Sequence, residues 1–408
     1  MITQSVLSIP EDYKLTDAGV IPKGWDAKRL GDLGECLIGL TYKPENVREY
    51  GALVLRSSNI ADGRLAFDDN VYVECDIPER IKVKEGDILI CVRNGSRALI
   101  GKCALLNKQV EGQTFGAFMS VFRTADSEYI FHQFQSDNIQ RQIHENIGAT
   151  INQITNKSLN SFVVPYPADS NERDAIAECL SEVDALIASL EKLIAKKRAI
   201  KQGAMQELLS GKRRLAGFSG EWKVKCLGEI CSPSKERLVP AQSLKSYKCV
   251  ELEHIESVSG RLLGYVDSKQ QLSQKTFFRR GDVLFGKLRP YLKKYWYAEF
   301  DGVCSTEIWV LKVQKPIVSQ FLYYLMQTHS ILEAAKQSTG TKMPRAEWKT
   351  LEKLELILPS TDGEQTAIAE MLSSMDSETL MIEQQIEKYR CIKLGMTQVL
   401  LTGKVRIV

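Results

Sequence analysis

Apolar residues recur at alternating spacings of four and three residues through two long stretches of the chain. The positions are Ile176, Leu180, Val183, Ile187, Leu190 and Ile194 in the first stretch, and Ile368, Leu372, Met375, Ile382 and Ile386 in the second. A 3.5-residue repeat of this length predicts a helix that pairs through one seam, as in a coiled coil. Polar residues interrupt the seams at Lys197, Lys201 and Lys393. They either fix the register in which the helices pair or mark an end of the seam that is exposed to solvent.

Both stretches carry matching start and stop signals. Each begins two residues after a proline with a capping-box pair and ends at a glycine: Asp169 with Glu172 and then Gly211, and Thr361 with Glu364 and then Gly403. The pattern predicts two helices of about 40 residues, each roughly 60 Å long at 1.5 Å per residue.

The chain contains a long internal repeat. Residues 167–214, moved forward by 192 positions, match residues 359–406 at 22 of 48 positions without a gap. A looser match continues upstream, where Trp25 pairs with Trp222 and Gly86 with Gly281. The repeat predicts two similar modules, each a globular part followed by a long helix. Related by a two-fold-like axis, the helices would pack antiparallel; alternatively, each helix caps its own domain.

The globular parts have mixed character. Short β-like runs at 51–60, 86–92, 162–167, 281–288 and 306–313 alternate with amphipathic stretches at 129–147 and 319–337. This alternation predicts α/β modules within an α+β protein that has an internal pseudo-two-fold repeat. The expected division is one module at 1–167, a helix at 168–212, a second module at 213–359 and a second helix at 360–408.

Composition narrows the function. The 408 residues are 44% hydrophobic and 26% charged with a net charge of +3, so nucleic-acid binding would rest on local patches. No apolar run is long enough to span a bilayer and no signal peptide is visible, so we expect a cytoplasmic protein without membrane association. Ten cysteines without a C-x-x-C pair indicate reduced thiols and no metal site.

The second module has a basic and aromatic stretch at 277–297. Its candidate contacts are Lys287, Arg289, Tyr291, Lys293 and Lys294. Arg and Lys neutralise phosphates, and Arg also reads guanine edges. Solvated cations beside a strand are the alternative interpretation. The corresponding stretch of the first module, 91–102, supplies Arg93, Asn94 and Arg97.

A glycine-containing loop precedes the last strand of each module, at 146–155 and 338–348. Glycine followed by hydroxyl and amide side chains suits a backbone that approaches phosphate, although an ordinary turn has the same composition. The candidates are Thr150, Asn152 and Gln153 in the first loop and Thr341, Lys342 and Arg345 in the second. Arg56 and Ser57, in the run 51–60, and His254 complete the set.

No catalytic motif is visible. The chain lacks G-x-x-x-x-G-K-[ST], G-x-G-x-x-G, H-E-x-x-H, G-x-S-x-G and [DNS]-P-P-[YFW]. A repeat that holds two modules apart, without such motifs, favours binding over catalysis.

Several segments together resemble the specificity subunit of type I restriction–modification systems. They are "VIPKGWDAKRLGDL" (20–33), "RLAGFSGEWKVKCLGEI" (214–230), "VELEHIES" (250–257), "GDVLFGKLRPYLKK" (281–294), "CSTEIWVL" (304–311) and the P-x-x-x-x-E-x-x-x-I-A-E opening of each helix. The resemblance implies two target-recognition domains that each read one half of a bipartite double-stranded DNA sequence.

The resemblance also implies partners. The helices would set the spacer and dock two modification subunits, which carry S-adenosylmethionine and methylate adenine, and restriction subunits would add ATP- and Mg-dependent translocation and cleavage. This chain itself would hold no cofactor. The sequences of the two modules differ, so we expect an asymmetric target. The first module departs from the pattern, since 91–102 is smaller than the basic-aromatic loop and 146–155 lacks counterparts of Lys342 and Arg345.

Two other classes of function stay open at this point. One is a DNA-acting enzyme, such as a nuclease or a self-contained methyltransferase, whose active site is unrecognised. The other is a coiled-coil scaffold that binds only proteins. The first predicts activity from the chain alone with S-adenosylmethionine or a divalent metal, and the second predicts no DNA affinity even with the partner present.

Overall fold

A computed structural model describes residues 9–147, 152–337 and 343–407. The chain forms two compact units: the first unit comprises Met1–Glu191 with Gln385–Val408, and the second comprises Lys192–Gln384. The two long helices, α5 (Ser170–Leu208) and α10 (Asp362–Leu400), are 39 residues each. Each unit therefore contains the first half of one long helix, the second half of the other and one globular module.

The module of the first unit is built from short strands around two four-stranded sheets. Its strands are β1 (Tyr13–Thr16), β2 (Gly19–Pro22), β3 (Trp25–Arg29), β4 (Gly34–Ile38), β5 (Val47–Arg48), β6 (Ala52–Leu55), β7 (Ile60–Ala61), β8 (Arg64–Leu65), β9 (Tyr72–Val73), β10 (Ile88–Cys91), β11 (Cys103–Leu105), β12 (Thr114–Phe115), β13 (Met119–Thr124) and β14 (Val163–Pro167). Its helices are α1 (Leu30–Leu33), α2 (Ser127–Gln135), α3 (Asp137–Asn146) and α4 (Asn156–Ser161).

The module of the second unit follows the same plan. Its strands are β15 (Trp222–Cys226), β16 (Cys231–Pro233), β17 (Arg237–Leu238), β18 (Lys248–Val250), β19 (Val266–Asp267), β20 (Lys275–Phe278), β21 (Val283–Gly286), β22 (Tyr295–Tyr297), β23 (Gly302–Ser305), β24 (Ile308–Val313) and β25 (Glu355–Pro359). Its helices are α6 (Leu227–Ile230), α7 (Ser319–Leu325), α8 (His329–Lys336) and α9 (Trp348–Leu351).

One antiparallel sheet has the same order in both modules. It runs β11-β10-β13-β4 in the first unit and β22-β21-β24-β16 in the second. The other large sheets are mixed, in the orders β12-β6-β9-β5 and β17-β20-β23-β18-β19. Strand β3 pairs with β14, and β15 pairs with β25, so in each module the strand that begins at the repeated tryptophan lies beside the last strand, at the start of a long helix.

The long helices contribute directly to the core of each unit. In the first unit, Leu180 of α5 and Leu400 of α10 lie in the same buried cluster as Trp25 and Phe134. In the second, Leu208 and Leu372 lie with Phe321. Burying these apolar side chains removes each helix half from water on its module-facing side, which is what stabilises helices of this length.

The amphipathic stretches at 129–147 and 319–337 each divide into two helices. Ser136 interrupts the first, and its hydroxyl accepts the N–H of Ile139 at the start of α3. Thr328 occupies the same place before α8. A hydroxyl residue at such a position offers the backbone an alternative hydrogen-bond partner and so favours a new helix start.

Candidate nucleic-acid interface

In the first unit, two of the segments singled out from the sequence meet at a backbone bridge. Arg93 pairs with Gln153 in antiparallel fashion. The N–H of Asn94 donates to the carbonyl oxygen of Asn152 at 3.3 Å, and the Asn152 amide donates to the Gly95 carbonyl at 3.0 Å. The bridge joins the loop after β10 to the segment before α4, and it brings four predicted contact residues together.

The second unit contains the equivalent bridge, between Leu288 and Arg345. The N–H of Arg289 donates to the Pro344 carbonyl, and the N–H of Ala346 donates to the Lys287 carbonyl, both at 2.8 Å. Leu288 lies 195 positions after Arg93 and Arg345 lies 192 after Gln153, which are the offsets of the internal repeat. Both modules therefore have the same pairing of loops, with different side chains at the paired positions.

The bridge of the first unit borders a cleft of about 520 Å³. Arg56 and Ser57, which follow β6, line it together with Arg93 and Asn94. The Asn94 amide donates to the Ser57 hydroxyl at 3.2 Å, so the loop after β6 is attached to the loop after β10. Polar donors and acceptors converge there on an apolar floor, which is typical of a recognition site.

An aromatic side chain that the sequence did not single out completes this cleft. Phe118 is 57% exposed, and the Arg93 guanidinium lies 4.9 Å from its ring centroid. Such stacking holds a guanidinium in one plane while leaving its edge available for hydrogen bonds. No distinct signal in the sequence marked Phe118, because it lies between Phe115 and Phe122, which are buried in the core, and nothing local indicates that it is exposed.

In the second unit, three non-glycine residues beside the loop after β21 have left-handed backbone. Arg289 and Lys293 each have φ of 51°, and Val258 has φ of 71°. The N–H of Val258 donates to the Lys293 carbonyl at 3.0 Å, so a backbone hydrogen bond joins Val258 to the loop that contains Arg289 and Lys293. Each such residue costs about 1–3 kcal/mol, and strain of this kind concentrates at functional sites.

The remaining candidates of the second unit differ in how free their side chains are. Tyr291 is exposed, whereas the Lys294 ammonium donates to the Leu252 carbonyl at 2.7 Å. The Arg345 guanidinium pairs with the Glu307 carboxylate at 3.0 Å. Glu307 directly precedes β24, as Phe118 directly precedes the equivalent strand β13. At this position the second module therefore has a carboxylate where the first has an aromatic ring.

His254 is mostly buried in a turn. Its Nδ1 accepts the N–H of Glu251 at 3.0 Å, as the Asn59 side chain accepts the N–H of Arg56 in the first unit. Among the other candidates, Arg56 pairs with Asp69 at 2.8 Å and Arg97 donates to the His144 carbonyl at 3.2 Å. Thr150, Thr341 and Lys342 lie outside the described residues.

The apolar seam positions of the long helices are buried or half-buried. Buried are Ile176, Leu180, Ile187, Ile194, Ile368, Leu372 and Ile386; half-buried are Val183, Leu190, Met375 and Ile382. Within each unit the helix halves run antiparallel. In the first unit Glu172 pairs with Arg406 and, further along, Glu191 pairs with Arg390. In the second unit Glu364 pairs with Arg214 and Glu383 with Arg198.

Three polar nodes tie each module to both helices of its unit. A node consists of an acidic residue on the first half of one helix, a basic residue from the other helix or its end, and a module side chain. The end node is Glu172, Arg406 and Trp25 in the first unit and Glu364, Arg214 and Trp222 in the second. The middle node is Asp184, Lys393 and Gln135 in the first unit and Asp376, Lys201 and Tyr324 in the second. The hairpin node is Glu191, Arg390 and Arg64 in the first unit and Glu383, Arg198 and Arg261 in the second.

The nodes correct one prediction and decide another. The Thr361 hydroxyl accepts the N–H of Glu364 at 3.4 Å, which is one half of the predicted capping box. The other half is absent, because the buried carboxylates of Glu172 and Glu364 accept hydrogen bonds from arginine and tryptophan instead. The three polar interruptions of the seam, Lys197, Lys201 and Lys393, each pair with an acidic residue of the opposing helix. They therefore fix the register of the helix pairing and are not a solvated end.

The described residues offer no other chemistry of note. No three His, Cys, Asp or Glu side chains among them form a group that could hold a metal ion. All ten cysteines are free, and burial raises the pKa of the Cys36, Cys103 and Cys231 thiols to about 12, which disfavours the reactive thiolate. Within the same parts of the chain, no helix has both the length and the apolar character that a membrane crossing needs.

The two modules share one sheet order, and each has cationic side chains beside its loop bridge, which is the chemistry of a nucleic-acid-binding protein. A family model described as the type I restriction modification DNA specificity domain matches residues 22–201 and 219–389. The chain belongs to this family.

Relatives and a solved structure agree with that assignment. The chain is 24% identical to the type I restriction enzyme StySPI specificity subunit of Salmonella potsdam, over 95% of this chain and 90% of the relative. It is 24% identical to the MjaVIII specificity subunit of Methanocaldococcus jannaschii, over 97% and 96%. The crystal structure of the type I restriction-modification S subunit of M. genitalium matches with a TM-score of 0.58 at 16% identity, over 92% of this chain and 96% of that one, and so shares the fold.

Proposed function

We propose that this chain is the non-catalytic specificity subunit of a type I restriction–modification complex and reads an asymmetric, two-part sequence in double-stranded DNA. The observation that carries the proposal is the repeated loop bridge with different side chains. Arg93 and Gln153 occupy it in the first unit, and Leu288 and Arg345 occupy it in the second. One scaffold with two sets of side chains suits two different half-sites.

The chemistry of each bridge fits DNA. In the first module, Arg93 stacked on Phe118 lies beside the Asn94 amide, and these are the side chains that read guanine and adenine edges in the major groove. In the second, Arg289 and Lys293 are held by strained backbone next to Arg345. Since the net charge is only +3, these local cations supply the attraction to phosphate.

The long helices suit two further roles, as spacer between the half-sites and as docking surface for modification subunits. Apolar side chains remain exposed along them, including Leu193, Ile200, Met381 and Leu394. Exposed apolar stripes on a helix favour contact with another protein. The helix sequences are far more alike than the modules, which suits two identical partners, one for each helix repeat.

The activities would then belong to the partners. Modification subunits would bind S-adenosylmethionine and methylate adenine, and restriction subunits would use ATP and Mg. In this chain the modules bind and orient DNA, and the helices fix the distance between the two contacts.

The test is to co-express the chain with its cognate modification subunit and map methylated adenines across the host genome by single-molecule sequencing. A two-part asymmetric motif with a fixed gap is the expected result. Absence of any motif despite a stable complex would refute DNA recognition and favour a protein scaffold. Methylation or cleavage by the chain alone, with S-adenosylmethionine or a divalent metal, would instead show an enzyme.

A further inference from the structure

We propose that the hairpin nodes set the orientation of each module on its helices and thereby the spacing at which the two half-sites are read. The inference rests on the proposed function. Glu191 in the first unit and Glu383 in the second are the central members, and their role is positioning, since neither lies at the loop bridges.

The nodes have the same design in both units. In the first, one Glu191 oxygen pairs with Arg64 at 2.7 Å and the other with Arg390 at 2.9 Å. In the second, one Glu383 oxygen pairs with Arg198 at 2.6 Å and the other lies 3.7 Å from Arg261. Each carboxylate therefore joins a module to both helices of its unit.

The module arginines occupy equivalent places although the surrounding sequences differ. Arg64 lies in the hairpin of β7 and β8, where Ile60 pairs with Leu65. Arg261 lies in the corresponding hairpin, where Ile255 pairs with Leu262. The second hairpin is two residues longer, yet its arginine still directly precedes the last paired residue and still reaches the acid at the repeat-equivalent helix position.

The hairpin node is the attachment farthest from the end node, and the middle node lies between them. The end node lies where the chain enters the helix, and Glu191 follows Glu172 by 19 residues, which is about 28 Å along an α-helix. Two attachments this far apart resist rotation of the module about either one. A rotation of about 7° over 28 Å moves the free end by about 3.4 Å, the rise of one base pair.

Without the hairpin node, the complex should therefore also accept spacers between the half-sites that differ from the native length by about one base pair. The bases read in each half-site should not change. The first-unit node is the tighter one, because Arg64 also donates to the Asp184 carbonyl at 3.0 Å. We expect a larger effect from Glu191→Gln than from Glu383→Gln. The two guanidinium groups bond to different Glu191 oxygens, and a glutamine keeps the shape but replaces one of these oxygens with an NH2 donor, so one of the two pairs is lost.

The experiment uses the complex of the full chain with its modification subunits. Methylation rates are measured on duplexes that carry the mapped half-sites with the native spacer, with the spacer changed by one base pair, or with one mismatch inside a half-site. In Glu191→Gln, preference for the native spacer should fall about three- to tenfold while discrimination against the mismatch is unchanged. Glu79→Gln, which breaks a pair with Lys82 inside the module, is the matched control and should alter neither ratio.

The outcomes separate this inference from the proposed function. A wild-type complex that does not discriminate spacer lengths would refute the proposed function itself. A wild-type complex with sharp spacer preference, together with Glu191→Gln and Glu383→Gln complexes that keep it, would refute the positioning role alone. A uniform loss of rate on every duplex would also refute it, because general destabilisation leaves both ratios intact.

Discussion

Glu364→Gln should destabilise the second unit strongly for a single-atom change in the side chain. The Glu364 carboxylate is 2% exposed and accepts two bonds from the Arg214 guanidinium, at 2.5 and 2.7 Å, as well as the Trp222 indole N–H. Breaking a buried ion pair by removing one partner costs about 3–5 kcal/mol. Arg214 is 28% exposed, and glutamine keeps one acceptor oxygen, so we expect about 2–3 kcal/mol.

The repeat supplies a matched comparison. Glu172 holds the same position in the first unit and is also buried, at 5% exposed, but its partner Arg406 is 46% exposed and so recovers more hydration when left alone. Glu172→Gln should therefore cost less, about 1–2 kcal/mol. Both free energies of unfolding are measured by urea titration of the purified protein, followed by circular dichroism.

Two results would contradict this reasoning. A cost below about 0.5 kcal/mol for Glu364→Gln would mean that the pair contributes no more than a surface salt bridge. A larger cost for Glu172→Gln would mean that exposure of the arginine does not decide the magnitude. As a control, Glu364→Leu combined with Arg214→Met should recover part of the stability lost in Glu364→Leu, because no buried charge is then unpaired.

Three further predictions concern DNA binding, spacing and pH. Arg289→Ala should weaken DNA binding of the complex by about 1–3 kcal/mol, as measured by titration. The control Arg280→Ala, at the other end of β21, should leave the affinity for DNA unchanged. Equal effects of the two substitutions would exclude Arg289 as a DNA contact. Deleting residues 192–195 together with 384–387 keeps every node intact and shortens both helices by about 6 Å, so the methylated motif should keep its half-sites with a spacer about two base pairs shorter. An unchanged spacer would exclude the helices as its determinant. Burial lowers the pKa of His132 to about 3 from about 6.5 in the unfolded chain, so the unfolded state binds an extra proton between these values and stability falls as pH drops below about 6.5. His132→Gln should reduce the slope of unfolding free energy against pH by about 1.4 kcal/mol per unit in that window, and an identical slope would show that His132 is not the titrating group.

Local signals determined the long helices. The 3.5-residue seam, the start signals and the glycine stops all depend on neighbours within a few residues, and Gly211 and Gly403 indeed have φ near 70°. The strands after Gly86 and Gly281 followed from β-branched and apolar runs in the same way. Such features are encoded within one or two turns of chain, so they are recognisable without knowledge of the tertiary structure.

Part of the recognition site was also visible in the sequence. The loops that meet at each bridge were both candidates because of their basic, amide and glycine residues, but their pairing was not predictable. Arg93 and Gln153 are 60 positions apart, and only the fold brings them together. Phe118 was missed because the sequence does not distinguish it from the buried Phe115 and Phe122 on either side, and its importance comes from the guanidinium stacked on it.

Only the tertiary structure decided what the acidic residues of the helices do. Glu172 and Glu364 have the spacing of capping-box residues, yet arginine and tryptophan from distant parts of the chain bind their carboxylates, since a buried charge is stabilised most by a cation that shares its site. The sequence by itself determined two repeats, two long helices and the likeness to a specificity subunit. The structure alone determined how each module is attached to those helices, because attachment depends on contacts between residues that are far apart in the chain.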